Sequence, residues 1–170
     1  MAQSDPVTIL LDASVWATAL IIDTCAPLTH DQFHRRFEMG PGSLHDTITH
    51  TIGAIRSWTD SLRGGERRPW LGDQGPFTVD QLKAILAESD TEFRAAALSG
   101  PLDEPITIHR RDGKVLTLTR AAIITHVGTH AMYHLAQCQN MLRHCGVDPL
   151  PASSVVQWAI TIDNPEAMQP

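Results

Sequence analysis

Three histidines, His126, His130 and His134, recur at every fourth residue of THVGTHAMYHLAQ, positions 125–137. Two neutral imidazoles one helical turn apart can share a divalent ion at ~2.0–2.1 Å. The surroundings read as helix: Ile123, Ile124, Val127, Ala131, Cys138, Met141, Leu142 and Cys145 mark one apolar face. On a wheel of about 100° per residue, His134 falls near the middle of that face and His130 about 40° from it, at the edge. His126 and His144 point roughly 100° aside. His126 and His134 are also separated by roughly 12 Å along the axis, too far to share an ion. A metal at His130 and His134 therefore needs its next protein ligand from another helix. The competing readings are core histidines with ordinary hydrogen-bond partners and haem ligation, which would give strong visible absorption.

The segment SLHDTITHTIGAIRSWTDSL, positions 43–62, offers His45 and His50. Its apolar stripe is Leu44, Ile48, Ile52, Ile55, Trp58 and Leu62. Both histidines lie at the margins of that stripe, on opposite sides, so the wheel does not choose between them. His30 and His34, in a loop-like stretch, and His109, in a hairpin, are weaker candidates. Cys138 faces inward one turn beyond His134 and reads as a small buried hydrophobe. Tyr133 points away from the apolar centre. No carboxylate stands beside the histidines as an evident general base, and no Ser-His-Asp or Cys-His arrangement is visible.

Four helices must position these groups. The first spans about residues 5–25, with Asp5 as N-cap and Pro6 at N1. Ile9, Ala13, Trp16, Leu20 and Thr24 give its stripe. After MGPGS, Ser43 caps a second helix reaching about residue 63. The third runs from about 78 to 98, opened by a Thr78–Gln81 capping box. PITIHRRDGKVLTLT then alternates around Asp112-Gly113, a hairpin signal. Thr119 caps the fourth helix, which stops at Gly146. A short terminal helix follows, from 153 or 154 through 158. The expected architecture is all-α: a four-helix bundle with a short β-hairpin between the third and fourth helices, in one domain over residues 1–170. Bundles build metal sites from side chains facing across their core.

The remaining composition narrows the class. A formal charge of −6 argues against a nucleic-acid partner bound through a broad basic face, and Arg63, Arg67 and Arg68 read as a solvated helix end. Three cysteines without framework spacing point to a reducing compartment. The N-terminal run lacks a basic region and is interrupted by Asp12, a poor signal peptide and too polar for a membrane span. A cytoplasmic protein without membrane association is expected.

LLDASVWATALI, SLHDTITHTIGAIRSW and THVGTHAMYHLAQCQNMLRHCGVDPLPASSVVQW, in this order, resemble the DinB/YfiT-like metalloproteins. In that family a His precedes a Trp by a few residues, and a late segment reads approximately His-Val-x-x-His-x-x-x-His-Arg-Gly-Gln. The resemblance implies a four-helix bundle, often dimeric, with a divalent metal held by three histidines. Carried over position by position, the ligands are His50, His130 and His134, which selects His50 over His45. His126 and Gln137 are then candidates to orient ligands or a water. Leu135-Ala136 stands where the family has Arg-Gly, and the Asp expected near Ser153-Ser154 is absent. The family and its relatives include transferases and isomerases that use low-molecular-weight thiols. The resemblance thus implies a metal-dependent enzyme, of the thiol S-transferase type, with zinc or nickel as the foremost metals, a small-molecule substrate and a homodimeric state. The alternative is a non-catalytic stress-response or dimerisation module with a structural or vestigial metal.

Overall fold

In the computed structural model, residues 5–109 and 113–163 are described. Six α-helices and one two-stranded sheet follow one another as α1 (Pro6–Cys25), α2 (His30–His34), α3 (Leu44–Arg63), α4 (Val79–Ala97), β1 (Pro105–His109), β2 (Val115–Thr119), α5 (Arg120–His144) and α6 (Val155–Asp163). A single 3-10 turn, Leu71–Asp73, precedes α4. The four long helices fall where the hydrophobic periodicity puts them, and their starts carry the expected caps. Asp5 accepts from the Thr8 N–H at 3.0 Å, and Ser43 accepts from the Asp46 N–H at 3.0 Å. Thr78 and Gln81 satisfy each other's backbone N–H groups in a capping box.

The long helices pack in a ring, α3 against α4 and α5, and α1 against α5 and α4. The core between them is built from Ile21, Ile22, Leu44, Ile48, Ile52, Leu82, Leu86, Phe93, Ile123 and Ile124, all nearly inaccessible to water. The face of α5 is the one its wheel indicates, with Gly128 and Leu135 added to it and Cys145, at the helix end, only half-buried.

The stripe read for α1 is displaced. Leu11, Ala13, Ser14, Ala17, Thr18, Ile21, Ile22 and Cys25 are buried, whereas Ile9, Trp16, Leu20 and Thr24 are only partly so. This helix is apolar on nearly every side, so periodicity alone cannot select its inward face. By length and composition α1 would also pass for a membrane span, contrary to the reading from Asp12. It is instead a core helix whose Asp12 pairs with Arg94 of α4 at 2.7 Å.

Two elements escape sequence reading. His30 and His34 belong to α2, a single turn opened by a Thr29–Gln32 capping box, and not to a loop. Helix α6 extends beyond residue 158 to Asp163. In the hairpin, Ile106 pairs with Leu118 and Ile108 with Leu116, and both isoleucines are buried. Gly113 has φ of 80°, while Asp112 of the expected turn lies outside the described residues. Arg120, the first residue of α5, is 4% exposed. Its guanidinium donates to the Ala96 carbonyl at the end of α4 and to Glu104 beside β1, at 3.0 Å from Nε. One buried cation thus fixes the hairpin against the ends of two helices.

Candidate metal centre

His50 stands on α3, and His130 and His134 on the facing side of α5. Across the α3–α5 interface, His50 Nε2 lies 3.3 Å from His130 Nε2. His134 Nε2 lies 3.1 Å from the same atom. One ligand nitrogen from each of the three falls within 4.8 Å of the others, so the set could hold a metal ion. Two nitrogens each ~2.0–2.1 Å from a tetrahedral ion are separated by roughly 3.3 Å. The donor set therefore fits such an ion in both chemistry and spacing.

The imidazoles are prepared to donate lone pairs. His134 is 7% exposed, and its Nδ1–H donates to Gln137 Oε1 at 2.8 Å. That bond leaves the Nε2 lone pair facing the other rings. Burial first, then the neighbouring His134, His50 and His126, lower the pKa of His130 to about 4. Burial and His134 also lower that of His50. Proton competition for these nitrogens is therefore weak near neutrality.

Gln137 is itself held from behind. Gly40, at φ +50°, approaches so closely that a Cβ there would come within 2.2 Å of Gln137 Oε1. The MGPGS segment, which reads only as a loop, is thus a wall against the residue that orients His134. Sequence spacing carries no sign of this contact.

The other histidines sit elsewhere. His126 is exposed and lies edge-on to Trp58 and beside His130, with ring centroids 5.1 and 5.3 Å away. It continues the row without entering the triad. His45 points to the opposite side of α3. Its Nε2 accepts from the Phe77 N–H at 3.0 Å, and its Nδ1 meets Asp46 Oδ1 at 2.9 Å. Cys138 is 1% exposed and is not among the grouped ligands. Burial pushes its thiol up to about 12.

A cleft of about 310 Å³ opens from His50 and His130, lined also by Ser57, Trp58, Ser61, Arg67, Trp70, Ile108 and Leu116. Trp70 leans over α3 and meets His50 edge-on, its ring centroid 5.6 Å away. Gly53 permits this, since a Cβ would lie 3.0 Å from the indole. The arginines read as a solvated helix end divide their work. Arg68 binds Asp60 at 2.9 Å and Glu92 at 2.6 Å, fastening the segment after α3 to both α3 and α4, whereas Arg67 faces the cleft. The hairpin and this segment are the parts of the site that the histidine pattern did not reveal.

The DinB family model matches residues 1–164. No curated protein matches the chain.

Proposed function

Because the chain belongs to the DinB family, we propose that His50, His130 and His134 hold one divalent ion, zinc or nickel foremost, in an enzyme of the thiol S-transferase type. The four long helices are read as the family's four-helix bundle, in one domain. A low-molecular-weight thiol, a small-molecule substrate, a homodimeric state and a cytoplasmic location complete the proposal. The observation that carries it is the convergence of three Nε2 atoms at the mouth of a cleft.

An ion held there would act as a Lewis acid and lower the pKa of a thiol or water reaching it. The chain's own contribution is positional. Gln137 fixes the tautomer and tilt of His134, and the indoles of Trp58 and Trp70 exclude water from one side of the cleft. Among the described residues, no carboxylate lines this cleft. A nucleophile whose proton leaves near neutrality without a protein base suits it, and a thiol with an ordinary pKa near ~8.5 is closer to that condition than water.

The same lack of a carboxylate favours a second reading, a non-catalytic stress-response or dimerisation module whose ion is structural or vestigial. Haem held between His130 and either neighbour is disfavoured, because those nitrogens lie 3.1 and 3.3 Å apart, closer than the roughly 4 Å between two opposed ligands each at ~2.0 Å. Elemental analysis of tag-free wild type beside His130→Ala, followed by thiol-transfer assays, separates the readings. About one ion per chain, lost in the variant, together with transfer activity, is the expected result. Stoichiometric metal without transfer across a panel of thiols favours the module. A wild type that takes up neither zinc nor nickel overturns the site.

A further inference from the structure

We propose that Arg67 makes the cleft beside the three histidines a receptor for a small monocarboxylate carrying a flat apolar body. This deepens the preceding reading and rests on it only for which end of the ligand faces the histidines. The anion's own anchor is independent of any metal.

The argument starts from charge. Asp60 also lies near this segment, but Arg68 already engages it through Nε at 2.9 Å and through its backbone N–H at 3.1 Å. Glu92 accepts from Arg68 Nη1 at 2.6 Å and lies 3.7 Å from Arg63. Arg67, between these pairs, has no carboxylate within ion-pair distance among the described residues. Its Nη2 donates to Ser61 Oγ at 3.3 Å, and Ser61 Oγ donates in turn to the Ser57 carbonyl at 3.0 Å. The guanidinium is thereby positioned by one face of α3 while most of its donors remain uncommitted. It is half-buried, so its attraction for an anion is less screened than that of a surface arginine.

Shape supplies the rest. The cleft's other walls are the indoles of Trp58 and Trp70 and the side chains of Ala54, Ile108 and Leu116. These surfaces are flat and apolar, suited to a ring or an unsaturated chain. The volume, about 310 Å³, suits a small molecule. A guanidinium pairs with a carboxylate through two parallel N–H···O bonds. Among the described lining residues Arg67 is the one permanent cation, which matches a monoanion; a phosphate dianion would call for a second. With the carboxylate on Arg67 and the body against the indoles, the far end of the ligand lies toward His50 and His130.

Phenylacetate and its neutral isostere phenylacetamide probe this directly. Each is titrated into metal-free and zinc-loaded protein while the indole N–H resonances of Trp58 and Trp70 are followed by NMR. Phenylacetate should shift both indoles in both preparations, with a Kd on the order of tenfold below that of the amide. Arg67→Gln should raise the phenylacetate Kd on the order of tenfold and leave that of the amide unchanged, and Arg67→Lys should recover part of the loss. Equal binding of acid and amide, or an unchanged Kd in Arg67→Gln, would overturn the proposal. So would binding confined to the zinc-loaded form, since the anion would then sit on the ion. A chain that takes up no zinc yet binds phenylacetate through Arg67 would overturn the metal reading and leave this one standing.

Discussion

Two groups of three histidines flank α3, and their difference separates a ligand set from a packing cluster. In one, His50, His130 and His134 aim Nε2 atoms at a common region, 3.1 and 3.3 Å apart. In the other, rings meet face toward face: His30 and His34 have centroids 4.4 Å apart, and His34 and His45 4.6 Å. The nitrogens of His45 are taken by the Phe77 N–H and by Asp46. Among the described residues this second group is not part of any set able to hold a metal. Crowding of imidazoles is therefore common to both, and free, convergent lone pairs are confined to one.

Substitutions can break the comparison. The largest contrast is expected between His130→Ala and His45→Ala. The first should lower zinc affinity on the order of a thousandfold, read by competition with a chromophoric chelator. His45→Ala should keep its metal. It should lose about 1–3 kcal/mol of stability in denaturant, because the Phe77 N–H is left without its acceptor. If His45→Ala loses metal as His130→Ala does, the division between the clusters fails. Next in size, Gln137→Ala should weaken metal binding by about 10–100-fold while leaving stoichiometry at one, since it frees the tautomer and tilt of His134.

Acid sharpens the contrast. A histidine whose pKa falls from the usual 6.5 to about 4 on folding, as His130 does, is protonated more readily in the unfolded chain. Its contribution to the stability of metal-free protein is present above ~6.5 and is lost as pH falls toward 4. His34 is lowered too, by burial and then by His45 and His30, so both clusters work in the same direction. Denaturation midpoints followed from pH 7 to pH 4 should decline, and His130→Ala should flatten that decline more than His34→Ala. The reverse order would mean that the stacked cluster carries the larger acid sensitivity. Smallest of all, His126→Ala should change zinc affinity by no more than about twofold, because this ring rests on Trp58 outside the triad.

The long helices were legible because their caps are local and their apolar residues repeat at helical spacing. The inward pair on α5 was legible for the same reason: one face carries Ile124, Val127, Ala131, His134 and Cys138 in register. Choosing between His45 and His50 was not possible from a wheel, since both lie at margins and only the neighbours on each side of α3 distinguish them. That selection came from the family pattern. In α1, near-uniform hydrophobicity hid the buried face. The cleft was hidden for a different reason. Its walls come from the hairpin and from residues 64–70, segments joined to the histidines only by tertiary packing. Arg67 and Arg68, adjacent in sequence, look equivalent until Asp60 and Glu92 are seen to claim one of them.

The hairpin contributes two residues to the cleft, Ile108 from β1 and Leu116 from β2, while the three histidines ride on helices that are also the core. Anchored at its base by Arg120, this two-stranded flap ties Ile108 into the core, where it is 2% exposed, but leaves Leu116 only half-buried and so free to change at little cost to the fold. Such a division lets one scaffold diversify: substitutions at Leu116 would retune which molecules enter, while the histidine centre and the core beneath the hairpin are inherited intact.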